Sequence, residues 1–120
     1  MQPISGAITF STTGLVTVSL PFTPSRFEFV TGGKYGVNET TNARHGKGYA
    51  SSSYQWCTAE LANVNGYFTQ TLLNTACFLV LDGSGVPAVK GSLSSIGTNS
   101  VTFNLTNASA LFPVLMTVYP

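Results

Sequence analysis

Residues 8–29 read ITFSTTGLVTVSLPFTPSRFEF, and their alternation decides the fold class. Ile8 and Phe10 alternate with Thr9 and Ser11, Val16, Val18 and Leu20 with Thr17 and Ser19, and Phe27 and Phe29 with Arg26 and Glu28. A period of two sends successive side chains to opposite faces of an extended chain, so each run is a strand with one buried and one wet face. Gly14 marks a turn between the first two runs. Neither Pro21 nor Pro24 has an N–H to donate to a ladder, so Pro21-Phe22-Thr23-Pro24 interrupts pairing. The stretch therefore predicts a hairpin, a rigid proline corner and a third strand that crosses to another sheet.

The pattern continues downstream. Residues 77–81 form a nearly continuous apolar run, which predicts a central strand covered on both faces, and Asp82-Gly83-Ser84-Gly85 closes it as a turn toward a partner strand at 86–93. After a Gly97-Thr98-Asn99 turn, Val101, Phe103 and Leu105 alternate with Thr102 and Asn104, and residues 114–119 make a terminal strand. About eight short strands at intervals of about ten residues predict an all-β fold, a two-sheet antiparallel β-sandwich that is jelly-roll-like. It occupies residues 1–120 as one domain. The apolar phase assigns Phe10, Val16, Val18, Phe27, Phe29, Leu79, Phe103 and Leu105 to the core. Helix is considered only at 58–63 and 69–74, and both stretches are short.

Composition bears on function. The chain has five Lys or Arg, four Asp or Glu and a single histidine, His45. Its 8% of charged residues compares with about a quarter in an ordinary soluble domain. General acids, general bases and metal ligands are drawn from those residue types, so catalysis and cofactor binding are not expected. A net charge of +1 supplies no field to attract nucleic acid or an anionic membrane. No apolar run approaches the roughly 18 residues of a membrane span. Met1-Gln2-Pro3-Ile4-Ser5 lacks the basic start and apolar stretch of a secretory leader. Use without secretion, or prior removal of a leader, is the expectation. Cys57 and Cys77 match neither CxxC nor a zinc spacing and read equally as two buried small hydrophobes or one optional disulfide.

The candidate chemistries are sparse. His45 is the one possible base for a nucleophile such as Cys57, and nothing like GxSxG accompanies it. Asp82-Gly83-Ser84-Gly85 reads as a plain turn before a calcium loop, and Gly46 and Gly48 do not lead from a strand into a helix as a phosphate loop requires. Regular alternation weakens over residues 34–76, where aromatic, Gly, Ser and Asn residues gather. Long connections often carry contacts with other molecules. Tyr35, Asn38, Arg44, His45, Tyr49, Tyr54, Gln55 and Trp56 are accordingly the candidate contact or ligand surface. Tyr54-Gln55-Trp56, or Tyr35 with Asn38, could stack a sugar and read its hydroxyls. The competing use of Trp56 is as an aromatic plug between the sheets.

Several pieces of the chain resemble small structural proteins of tailed bacteriophages. Leu20-Pro21-Phe22-Thr23-Pro24-Ser25-Arg26-Phe27-Glu28-Phe29 is similar to their GFTPKAVIF-type corner, with Ser25-Arg26 in place of the lysine. His45-Gly46-Lys47-Gly48-Tyr49-Ala50 and Gln55-Trp56-Cys57 resemble a central HGWGFA…QWC stretch, and residues 100–105 and 114–119 resemble two late strands. The resemblance implies a non-enzymatic virion component, decorating the capsid or forming part of the tail, present in many copies. Its implied partners are itself, as a homo-oligomer, and other virion proteins, and its implied location is the virion, made in the host cytoplasm and extracellular once released. A carbohydrate- or receptor-binding module, recognising for example a host-surface glycan, is the alternative, and a subunit of an extracellular filament is a third. Low surface charge favours self-association in each case, because Lys and Glu are the residues that keep sheet edges apart.

Overall fold

The computed structural model describes residues 1–32 and 42–120. They form ten strands: β1 (Ile4–Phe10), β2 (Gly14–Ser19), β3 (Arg26–Thr31), β4 (Asn42–Ser51), β5 (Gln55–Asn63), β6 (Phe68–Leu73), β7 (Phe78–Leu81), β8 (Pro87–Gly97), β9 (Ser100–Asn107) and β10 (Ser109–Tyr119). One sheet has six strands in the order β1-β10-β3-β4-β5-β6, the other four in the order β2-β9-β8-β7. Every pairing is antiparallel. The all-β fold with two antiparallel sheets is as the alternation predicts, with ten strands rather than about eight. The additional order lies in the segment read as irregular. Residues 58–63 and 69–74, considered as helices, fall largely within β5 and β6. Cys57, Ala59 and Leu61 are buried on β5 while Glu60 is exposed, but small inward residues beside a large outward Trp56 blunt the apolar contrast on which a sequence reading relies.

Two expectations about partners are corrected. β1 and β2 form no hairpin: β1 pairs with β10 and β2 with β9, so the chain changes sheets at 11–13 and again at the proline corner. Alternation says which face a residue takes and is silent on its neighbour strand. The corner itself crosses as expected; Phe22 packs into the core, and the Ser25 N–H donates to the Tyr119 carbonyl at 2.8 Å. The run ending in β7 is covered on both faces but is an edge strand, not a central one. Its alternate residues serve two clusters, Phe78 and Val80 joining the main core and Leu79 and Leu81 a smaller one with Cys57, Ala59 and Leu61 beneath β5.

The main core is aromatic. Phe10 stacks on Phe78 with centroids 5.0 Å apart, and Phe103 meets Phe10, Phe27, Phe29 and Phe78 edge-on at 5.6–6.0 Å. Six of the eight predicted core residues are buried. Val16 and Val18 are only partly so, because β2 is an edge strand.

Gly46 and Gly48 take inward positions on β4, where a side chain would otherwise enter the core. A Cβ at Gly48 would overlap the Cys77 carbonyl, and one at Gly46 would crowd the carbonyls of Thr58 and Leu79 at 2.7 and 3.2 Å. The glycines thus form a floor on which β7 rests. Thr31, buried beside them, donates its hydroxyl to the Leu79 carbonyl at 3.2 Å, tying β3 to β7.

Candidate functional site

Because β3, β4, β5 and β10 send one phase inward, the other phase lies on the outer face of the six-stranded sheet. Pairing aligns these outward residues in rows. One row runs Thr117, Glu28, Tyr49, Trp56 across β10, β3, β4 and β5; the next runs Leu115, Val30, Lys47, Thr58, Leu72 and reaches β6. A third sets His45 opposite Glu60 and Glu60 opposite Gln70. Large apolar groups are left in solvent here: Leu115 is 45% exposed, Val30 44%, Leu72 72% and Phe68 60%.

Between the first two rows lies a groove of about 350 Å³ lined by Glu28, Val30, Lys47, Tyr49 and Trp56. Tyr54, at the β4–β5 turn, stacks on Tyr49 with centroids 5.0 Å apart and planes 22° from parallel. That neighbour, through its charge first and its hydrogen bond second, pushes the Tyr54 phenol above its ordinary pKa. On the opposite side of the groove the Tyr119 hydroxyl donates to Glu28 Oε2 at 3.0 Å, and the Arg26 guanidinium sits 3.9 Å from the Tyr119 ring centroid. The hydrogen bond to Glu28 is the main cause of a raised Tyr119 pKa.

The sequence candidates divide by phase. His45, Tyr49 and Trp56 share the outer face, and Tyr54 joins them by stacking. Trp56 is half-exposed there and does not plug the space between the sheets. Arg44 is instead on the inward phase, half-buried, with its guanidinium 4.8 Å from the Phe112 ring centroid. Burial lowers its pKa while the charge of Asp82 raises it. Gln55 also turns away from the aromatic face, its Oε1 accepting from the Leu93 N–H at 3.0 Å and so bracing one sheet against the other. Tyr35 and Asn38 lie outside the described residues. Arg26, Glu28, Val30 and Tyr119 complete the face and were not among the candidates. The outward phase of the first three is readable in Arg26-Phe27-Glu28-Phe29-Val30, but not the adjacency of β3 to β4.

Gln55 and Tyr54 do contribute to a second feature, an open cleft of about 640 Å³ at the end of the sandwich. Its other walls are Ser51, Ser52, Ser53, Asn74, Ser94 and Ser95, with Leu93 and Ile96. The cleft offers hydroxyls, amides and one aromatic ring.

Cys57 and His45 occupy opposite faces of the sheet, since Cys57 is fully buried and inward. Burial pushes its thiol up to about 11, partly offset by Lys90, and Cys77 is raised further by burial and then by Cys57. Both cysteines are free thiols. Among the described residues, no three of His, Cys, Asp or Glu gather as a metal site. The outer face can stack and hydrogen-bond, and its exposed aliphatic groups can be buried by a partner.

No protein-family model matches the chain, and neither a curated protein nor a solved structure matches it.

Proposed function

We propose that this protein is a non-enzymatic structural subunit of a phage particle, in a capsid-decoration or tail position, acting through contacts with copies of itself and with other virion proteins. The observation that carries the assembly part is the uncovered outer face, where Leu115, Val30, Leu72 and Phe68 stand in solvent on one side of the larger sheet. Apolar groups exposed in this way on one sheet face are removed from water by association, which contributes roughly 25 cal/mol per Å². Tyr49 and Trp56, rigid and half-exposed at the centre of that face, are the residue types that dominate interface energetics. The phage setting is supported by the resemblance of the proline corner and the glycine-bearing strand β4.

Sedimentation velocity and native mass measurement at micromolar concentration test the reading. An oligomer is expected, together with recovery of the chain from purified particles by mass spectrometry. A clean monomer absent from particles would overturn it.

The hydroxyl-lined cleft beside Tyr54 favours a second reading, a module that binds a neutral glycan. Its volume lies within the roughly 300–1,000 Å³ of ordinary ligand sites. Binding on an array of neutral glycans, lost in Tyr54→Ala, would support it; an array without signal would remove it.

A further inference from the structure

Among the described residues, strand β6 ends the six-stranded sheet and pairs on one side only, with β5. Edge strands are normally guarded by lysine, proline, a bulge or shortness, because an unpaired ladder accepts another strand. β6 has none of these: Phe68-Thr69-Gln70-Thr71-Leu72-Leu73 carries no charge and no proline, and its register with β5 is unbroken. Two of the other three edges differ. β1 has a register shift between Ile8 and Phe10, and β7 is four residues long with a shift of its own.

The sequence of β6 is close to a palindrome about Gln70. If two copies meet antiparallel around a two-fold axis through that residue, Phe68 of each stands opposite Leu72 of the other, Thr69 opposite Thr71, and Gln70 opposite Gln70. Every cross-strand pair is then of a favourable type: aromatic with aliphatic, hydroxyl with hydroxyl, amide with amide. Phe68 and Leu72, at 60% and 72% exposure, are also large apolar side chains left in solvent. On β2, the same operation about Thr17 would set exposed Leu15 against Ser19, so that strand is less suited to pair with itself.

We propose that β6 is a self-pairing edge, and that a second copy of this chain docks on it antiparallel about Gln70 to join two six-stranded sheets into one. The proposal rests on the reading of the chain as an assembly subunit and names one contact of it. Such an isologous contact closes on itself, leaving the remaining outer face for other neighbours.

A cysteine cross-link tests the axis. Directly opposed residues of antiparallel strands have Cα atoms about 4.5–5.5 Å apart, within disulfide reach. In Leu72→Cys, by contrast, the two new thiols would sit on residues roughly 13 Å apart along the strands. Under mild oxidation Gln70→Cys should yield a covalent dimer at least tenfold faster than Leu72→Cys; the native thiols, being buried, stay out of the reaction. In parallel, Phe68→Lys/Leu72→Lys should weaken association at least tenfold in sedimentation, with an unchanged circular dichroism spectrum. Equal cross-linking rates, or a folded double-lysine variant that associates like the parent, would overturn the edge pairing while leaving assembly through another surface intact. A parent chain that stays monomeric would sink both.

Discussion

At the scale of single residues, Gly48 shows how a missing side chain can be structural. It sits on the inward phase of β4, where an apolar residue would be expected, because the Cys77 carbonyl already occupies the space a Cβ needs. The overlap is with backbone, which cannot swing aside, so Gly48→Ala should destabilise the protein by about 3 kcal/mol in urea unfolding. Gly6 is the control, since a Cβ there meets nothing within 4 Å; Gly6→Ala should change stability by less than about 1 kcal/mol. The same circumstance explains why the candidate site was half legible. Glycines in an inward phase read as a break in alternation, so the sequence presents the stretch that holds β4 as an irregular connection and its aromatic residues as one undivided group. Once β4 is a strand, Arg44 and His45 must face opposite ways, as must Gln55 and Trp56.

At the scale of elements, the turns were the most readable pieces. In the β7–β8 hairpin, Asp82 Oδ1 accepts from the backbone N–H groups of Ser84 and Val86 at 2.8 and 3.0 Å. Gly85 takes φ +79, a conformation that costs an L side chain energy. Asp82→Ala leaves two donors without that acceptor and should cost about 1–2 kcal/mol, measured as a lower urea midpoint with an unchanged slope. Strand existence was equally plain wherever large apolar and polar residues alternate, as in β3 and β9. Strand partnership was not. The chain from β1 to β2 has the length and glycine of a hairpin, and only packing over the aromatic core places the two strands in different sheets.

At the scale of the whole molecule, Cys57 and Cys77 report on global opening, because both are fully buried beneath the larger sheet. The native protein should not react with a thiol reagent at pH 8, whereas both thiols should titrate in denaturant. Burial raises the Cys57 thiol from 9.0 to about 11, so the folded chain keeps a proton that the unfolded chain releases. The thiol's contribution is therefore complete below pH 9 and is lost as pH rises through about 11. The fall in the urea midpoint between pH 8 and pH 10.5 should be smaller in Cys57→Ala/Cys77→Ala. The position of β10 has a different consequence, one of timing. It lies between β1 and β3, pairing Val118 with both Ile4 and Phe27, so the sheet around β1 cannot close until a strand far downstream in the chain has been made. Nucleation cannot be local there, since the pairing spans almost the whole domain, and folding should be slow for a domain of this size.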